Sequence, residues 1–193
     1  MGKRLIVFAS VLALGVFLAL RALSPPFPSD KTPQGAYMRI AKAVADGDPK
    51  AIFAYLETDA QWASFTIRDE RKRALEKVRA SYPPDERRAY EQAYGSLASA
   101  PDGSDVFAVL AAQRGWIARL RKDLSGVASV EMDRERASVV TARGTRYPFR
   151  VRENGIWGLT IFTADLMAER ERASRDLAVV EAAADDYDRA KKK

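Results

Sequence analysis

From Leu5 to Leu20 the chain holds sixteen consecutive residues without a charge, most of them aliphatic. Lys3 and Arg4 precede this run, Arg21 interrupts it, and Pro25, Pro26 and Pro28 follow it. A spanning helix needs about 20 apolar residues and a secretory core about 7–15. The run falls between the two, but it spans if Arg21 reaches out to the interface and the helix extends from Leu5 to Leu23. The best small-x-small triplet, Ala22-Leu23-Ser24, would place Pro25 just after a cut, where its fixed backbone suits a protease poorly. The pattern therefore predicts an uncleaved signal anchor over residues 1–23, with secretion after cleavage as the alternative. Lys3 and Arg4 hold the N-terminus in the cytoplasm. That orientation gives a single-pass protein of a bacterial inner membrane with its domain in the periplasm. Residues 24–32 form a stiff, proline-rich linker.

Beyond the linker, apolar positions recur at helical spacing. Thr32-Pro33 is a cap and first-turn pair for a helix carrying Tyr37, Ile40, Ala41 and Val44, which Gly47 stops. Asp48-Pro49 repeats that chemistry for a helix with Ile52, Phe53 and Leu56. Asp59 caps a third helix bearing Trp62, Phe65, Leu75, Val78 and Tyr82. Its charged stretch from Arg68 to Arg73 reads as solvated and admits a break. Asp85-Glu86 opens a fourth helix with Tyr90, Ala93, Tyr94 and Leu97, and residues 96–105 read as a loop. A fifth helix carries Phe107, Leu110, Ile117, Leu120 and Leu124, with Gly126 as its cap.

The period then changes to two in four runs, 127–133, 136–142, 145–152 and 156–162. A two-residue turn at Arg134-Glu135 sets Met132 opposite Ala137, Val130 opposite Val139 and Ala128 opposite Thr141. Three-residue loops ending in Gly144 and Gly155 set Val139 opposite Tyr147, Ala137 opposite Phe149, Val151 opposite Trp157, Phe149 opposite Leu159 and Tyr147 opposite Ile161. This register collects the large apolar residues on one face of an antiparallel meander, with Arg146, Arg150 and Arg152 on the other. Pro148 has no N–H, so it needs an open edge or a bulge. A last helix begins near Thr163 or Asp165 with the stripe Leu166, Ala173, Leu177, Val180, Ala184 and Tyr187. Its small residues favour packing on the domain itself over a homodimer seam or a partner helix. The fold class is thus α+β: a membrane-spanning or signal helix, several helices on a curved four-stranded meander, and a long C-terminal helix.

Composition narrows the chemistry. The 193 residues include no His and no Cys. That excludes imidazole bases, Cys nucleophiles, disulfides and His/Cys zinc sites. The net charge of +6 resides at the two ends, because residues 32–190 hold 25 basic and 25 acidic side chains. A charge-balanced domain lacks the footprint of a nucleic-acid binder. No phosphate loop, nucleophile elbow, calcium loop or cofactor motif occurs.

The helix–turn–helix segment Val44-Ala45-Asp46-Gly47-Asp48-Pro49-Lys50-Ala51-Ile52, with the aromatic-rich closing meander, resembles the NTF2-like superfamily over residues 33–162. Residues 163–193 form an added helix and basic tail. The resemblance implies a curved sheet that makes a cone, in a superfamily of isomerases, dehydratases, small-ligand binders and assembly domains. Under it Tyr147, Phe149, Trp157 and Leu159 become candidates to line a pocket for a small apolar ligand. The cationic row Arg146, Arg150 and Arg152 offers bidentate contacts to an anion. The leading expectation is a non-catalytic domain that binds a ligand or a protein. The alternatives are an isomerase- or dehydratase-like enzyme, for which Asp59 and Tyr55 near the second helix corner and Tyr147 and Trp157 on the sheet face are the candidates, and a helical adaptor using residues 163–190.

Overall fold

The computed structural model describes residues 27–192, so the expected anchor at 1–23 lies outside the described residues. Among those residues no helix is long and apolar enough to cross a membrane. They form an α+β domain of seven helices and one four-stranded antiparallel sheet. Helices α1 (Pro33–Asp46) and α2 (Pro49–Phe53) start on the expected caps: the Thr32 hydroxyl accepts from the Gly35 amide, and the Asp48 carboxylate from the Ala51 amide. Helix α3 (Thr58–Ser81) begins after Glu57, so Asp59 sits in its first turn and is not its cap. It runs unbroken for 24 residues through the charged stretch. Helix α4 (Pro84–Ala98) follows. The expected fifth helix is two, α5 (Gly103–Gln113) and α6 (Trp116–Asp123), because Gly115 between them turns left-handed and Gly126 lies beyond the real cap, Leu124.

Strands β1 (Val127–Asp133), β2 (Arg136–Thr141), β3 (Arg146–Val151) and β4 (Trp157–Leu159) pair in sequence order. The central register is the expected one, with Val130 opposite Val139, Val139 opposite Tyr147, Ala137 opposite Phe149, and Val151 opposite Trp157. Gly144 and Gly155 hold the left-handed loop positions at φ 81° and 79°. Two end pairs differ. A bulge between Val127 and Ser129 puts Val127, not Ala128, opposite Thr141. The other change is that β4 stops at Leu159, so Tyr147 and Ile161 do not pair. Pro148 supplies the reason. The Thr160 amide donates to the Pro148 carbonyl at 3.1 Å, and the reciprocal donor does not exist. Pro148 therefore needs neither an open edge nor a bulge; it ends the ladder.

The inner sheet face packs under α1. Tyr37, Ile40 and Val44 lie buried with Val139, Tyr147, Phe149 and Leu159, and the Tyr37 and Tyr147 rings are 5.4 Å apart. Phe107, Trp116 and Phe162 extend this core, with Trp116 stacked on Phe162 at 4.8 Å. The last helix, α7 (Thr163–Lys191), lies against α3 and α4, and Leu177, Val180 and Ala184 form a second core with Ala74, Val78 and Tyr82. Its stripe is thus covered by its own domain, as its small residues imply.

Arg71 ties the two cores together. It is buried, at 4% exposure, and not solvated as expected, and its ion pairs hold this stretch of α3 in the interior as continuous helix. Its guanidinium meets Asp176 at 2.5 Å and Glu169 at 3.4 Å, and lies 4.2 Å above the Tyr94 ring. Glu169 also accepts from Arg114 at 2.7 Å and Arg172 at 3.2 Å. A buried charge is tolerable only when it is paired and hydrogen-bonded. Glu169→Ala is expected to destabilise the fold by about 3–5 kcal/mol in urea unfolding, because it strips Arg71 of its buried partner. The double change Arg71→Met with Glu169→Leu should recover most of that loss.

The far edge of β4 is closed by the α2–α3 connection. Leu56 pairs in parallel with Leu159, the Glu57 amide donates to the Leu159 carbonyl at 3.2 Å, and the Leu159 amide donates to Tyr55 at 2.7 Å. Gly158 permits this approach, since a Cβ there would lie 2.5 Å from Glu57 Cα. Backbone cannot yield as a flexible side chain does. Gly158→Ala is expected to cost about 2 kcal/mol or more, read as a lowered melting temperature, whereas alanine at half-buried Gly95, where an added Cβ meets nothing within 4 Å, should not lower it.

Candidate functional site

The four expected pocket residues come together on the inner sheet face, and each is buried: Tyr147, Phe149, Trp157 and Leu159 are all at or below 6% exposure. Their neighbours are the domain's own side chains. Trp157 is held further by the chain before α1, for its indole N–H donates to the Lys31 carbonyl at 3.2 Å and its amide to Asp30 at 3.2 Å. The described end of the expected linker is therefore docked on the domain. Tyr55 is half-buried and gives its carbonyl to β4, while Asp59 is exposed. The two do not share a cavity.

The three arginines of the outer row have three different surroundings. Arg146 is paired with Glu131. Arg152 leaves the sheet face and donates to the carbonyls of Ala54 and Leu56 at 2.7 and 3.2 Å, so it fastens the α2–α3 connection. Burial pushes its pKa down from the ordinary arginine range. Only Arg150 stands over a depression, with its guanidinium 3.4 Å from the Glu57 carboxylate.

That depression is a recess of about 450 Å3 on the outer sheet face. Its polar lining is Glu57, Glu131, Asp133, Arg136, Ser138, Arg150 and Thr160, with Pro148 facing it; Met132, Ala137 and Phe149 border it from strand positions whose side chains alternate to the inner face. Glu57 reaches it because the parallel pairing of Leu56 carries the next residue across the sheet edge. Glu57 occupies the N-cap position of α3, yet its side chain makes no capping hydrogen bond there. Met132, opposite Ala137 on the inner side of the sheet, keeps 58% of its surface exposed. Arg136 and Arg150 are Cα partners across β2 and β3. Sequence reasoning missed Glu57, Arg136, Ser138 and Thr160. Arg136 was reachable, since the register that pairs Ala137 with Phe149 also pairs Arg136 with Arg150. Glu57 carried no signal.

No family model, curated protein or solved structure matches this chain. Function therefore rests on what the recess can do. Two arginines, a half-buried serine hydroxyl, three carboxylates and the exposed Pro148 make an amphoteric surface. Among the described residues no group of three or more acidic side chains is placed to hold a metal ion.

On the inner face, the Tyr147 hydroxyl is buried and has no hydrogen-bond partner among the described residues. Burial, and then the neighbouring Tyr37 and Asp123, push its pKa up to about 12. Burial likewise raises Tyr37, against the lowering by its bond to the Ser125 carbonyl. An unfolded tyrosine ionises near pH 10 (about 10). A raised folded pKa means stability is whole below the unfolded value and falls as pH climbs toward the folded one. Chemical unfolding is expected to show stability declining from about pH 10 to 12, with a shallower decline in Tyr147→Phe.

Proposed function

We propose that this chain is a membrane-anchored protein of the bacterial envelope whose periplasmic, NTF2-like domain binds a ligand or protein without catalysing a reaction, and that it binds with the outer face of its sheet. One observation carries the reading: the aromatic inner face is filled by the domain's own side chains, while the outer face holds the 450 Å3 recess with Arg150, Arg136 and Glu57 at its rim. A domain that fills its cone has its recognition chemistry elsewhere. The anchor at residues 5–23 supports the placement in the inner membrane, and Lys3 and Arg4 support the outward orientation. The charge-balanced domain favours a small-molecule or protein partner over nucleic acid.

A second reading, an isomerase- or dehydratase-like enzyme, draws on Glu57, a carboxylate at 5% exposure beside a recess. Its ion pair with Arg150 favours the binding reading, because a free base needs its lone pairs unengaged.

Photo-crosslinking in bacterial cells tests the proposal. The full chain carries the crosslinking residue at Ser138 on the outer face, or at Ala112 on α5, which is exposed elsewhere. The expected result is a discrete adduct from position 138, none from 112, and protection of both from protease until the outer membrane is opened. Equal labelling at the two positions would defeat the outer-face assignment, and protease resistance after the outer membrane is opened would defeat the periplasmic one.

A further inference from the structure

We infer that the face bearing Phe27, Arg39, Lys42 and Tyr55 rests on the lipid headgroup layer, held there by the short exit of the chain toward its anchor. This goes beyond the outer-face reading and rests on the reading of residues 5–23 as an uncleaved membrane anchor. The first ground is that the exit point is fixed. Residues 28–32 are fastened to α1 and to the sheet. The Arg39 guanidinium donates to the Pro28 carbonyl at 3.3 Å, and the Thr32 hydroxyl donates to the Ser29 carbonyl at 2.7 Å. Trp157 donates to the carbonyls of Asp30 and Lys31. Gly35 lets the segment lie this close, since a Cβ there would meet the Ser29 carbonyl oxygen at 2.0 Å. Phe27 therefore leaves the domain at one place, with the Arg39 guanidinium 4.8 Å above its ring.

The second ground is reach. Four residue steps separate Leu23 from Phe27, and at no more than about 3.6 Å each they cover about 14 Å at most. The headgroup layer on one side of a bilayer takes up about 5–7 Å of that. What is left, about 8 Å, is narrower than one helix with its side chains, at about 10 Å. No layer of protein fits in that gap, so the surface around the exit meets the bilayer itself.

The chemistry of the face agrees. Phe27 keeps 45% of its surface exposed, and aromatic rings settle at the membrane interface. Beside it lies a recess of about 320 Å3 lined by Arg39, Lys42, Asp46 and Tyr55. Arg39 lies 3.9 Å from Asp30, and Lys42 pairs with Asp46, so these four charges cancel. The tether and the aromatic contact hold the face, and attraction to anionic lipid is not needed. The opposite side of the domain is set by α3, which starts three residues after Tyr55 and carries Ala80 to about 33 Å from Thr58 at its helical rise. A domain of this length is about 40 Å across, so Ala80 stands near the far side.

The chain has no Cys, so Lys42→Cys and Ala80→Cys, both at exposed positions, each take a single fluorescent label. The labelled full chain is placed in phosphatidylcholine vesicles in which some lipids carry a nitroxide on the headgroup. Quenching at position 42 should exceed that at 80 at least threefold. The difference should persist at about 0.5 M salt, where the Debye length is only about 4 Å. About twenty Gly and Ser residues inserted between Ser24 and Pro25, spanning about 25 Å, should bring the two positions to within twofold. Equal quenching with the native linker, loss of the difference in salt, or a difference that survives the insertion would overturn the inference. Flotation of the vesicles after carbonate extraction tests the anchor separately. A chain that still floats keeps its anchor, and any of those results then strikes the inference alone; a chain released by carbonate takes both down.

Discussion

The passage of the Leu56–Glu57 backbone over Gly158 is the contact on which the sheet and the recess both depend. β4 has only three residues, too few to hold an edge by itself. The α2–α3 connection covers that edge with a parallel bridge and two backbone hydrogen bonds, and it can do so only where position 158 has no Cβ. The same step fixes the first turn of α3 and delivers Glu57 to the outer face beside Arg150. Arg152 secures the connection from the other strand by donating to Ala54 and Leu56. One tight backbone crossing thus positions a helix, closes a sheet edge and places a recess residue.

The helical half is organised by a different physical device. The buried faces of α3 and α7 mix small residues, among them Ala63, Ala74, Ala173 and Ala184, with Val78, Leu177 and Val180. Small residues bring the helices close but bury little area each. Between the two cores the contact changes from apolar to ionic, with Arg71 and Glu169 at its centre. A buried ion pair adds little net stability over an apolar pair, but it penalises every alternative that separates its members. Here that penalty acts against sliding α7 along α3, because a one-turn shift would carry Glu169 and Asp176 away from Arg71 together.

Much of the sheet was legible in the sequence because its period is two and its loops end in glycine. Those features fix Val139 against Tyr147 and Phe149 against Leu159 without any tertiary information. Helix caps at Thr32 and Asp48 were equally plain, since both combine a side-chain acceptor with a following proline. Most of the failures share one cause, dependence on a contact distant in sequence. Arg71 reads as solvated until Glu169 and Asp176, about a hundred residues on, are known to face it. The end of β4 depends on Pro148 of the neighbouring strand, and Glu57 enters the recess only through Leu159. The split of α5 from α6 is the exception, a local signal at Gly115 outweighed by the continuing apolar spacing.

The same distinction between local pattern and distant contact bears on where recognition occurs. Alternation in strands collects apolar residues on one face by the thousandfold-repeated logic of core burial, so an aromatic face is first of all a core. The outer face is the informative one, since solvent imposes no particular side chain there. Two arginines opposite each other, an exposed proline on an interior strand, and a buried glutamate without a capping role are all choices that stability does not demand. Each is mildly unfavourable alone. Their convergence on one recess sets the outer face of the sheet apart from the packed inner one.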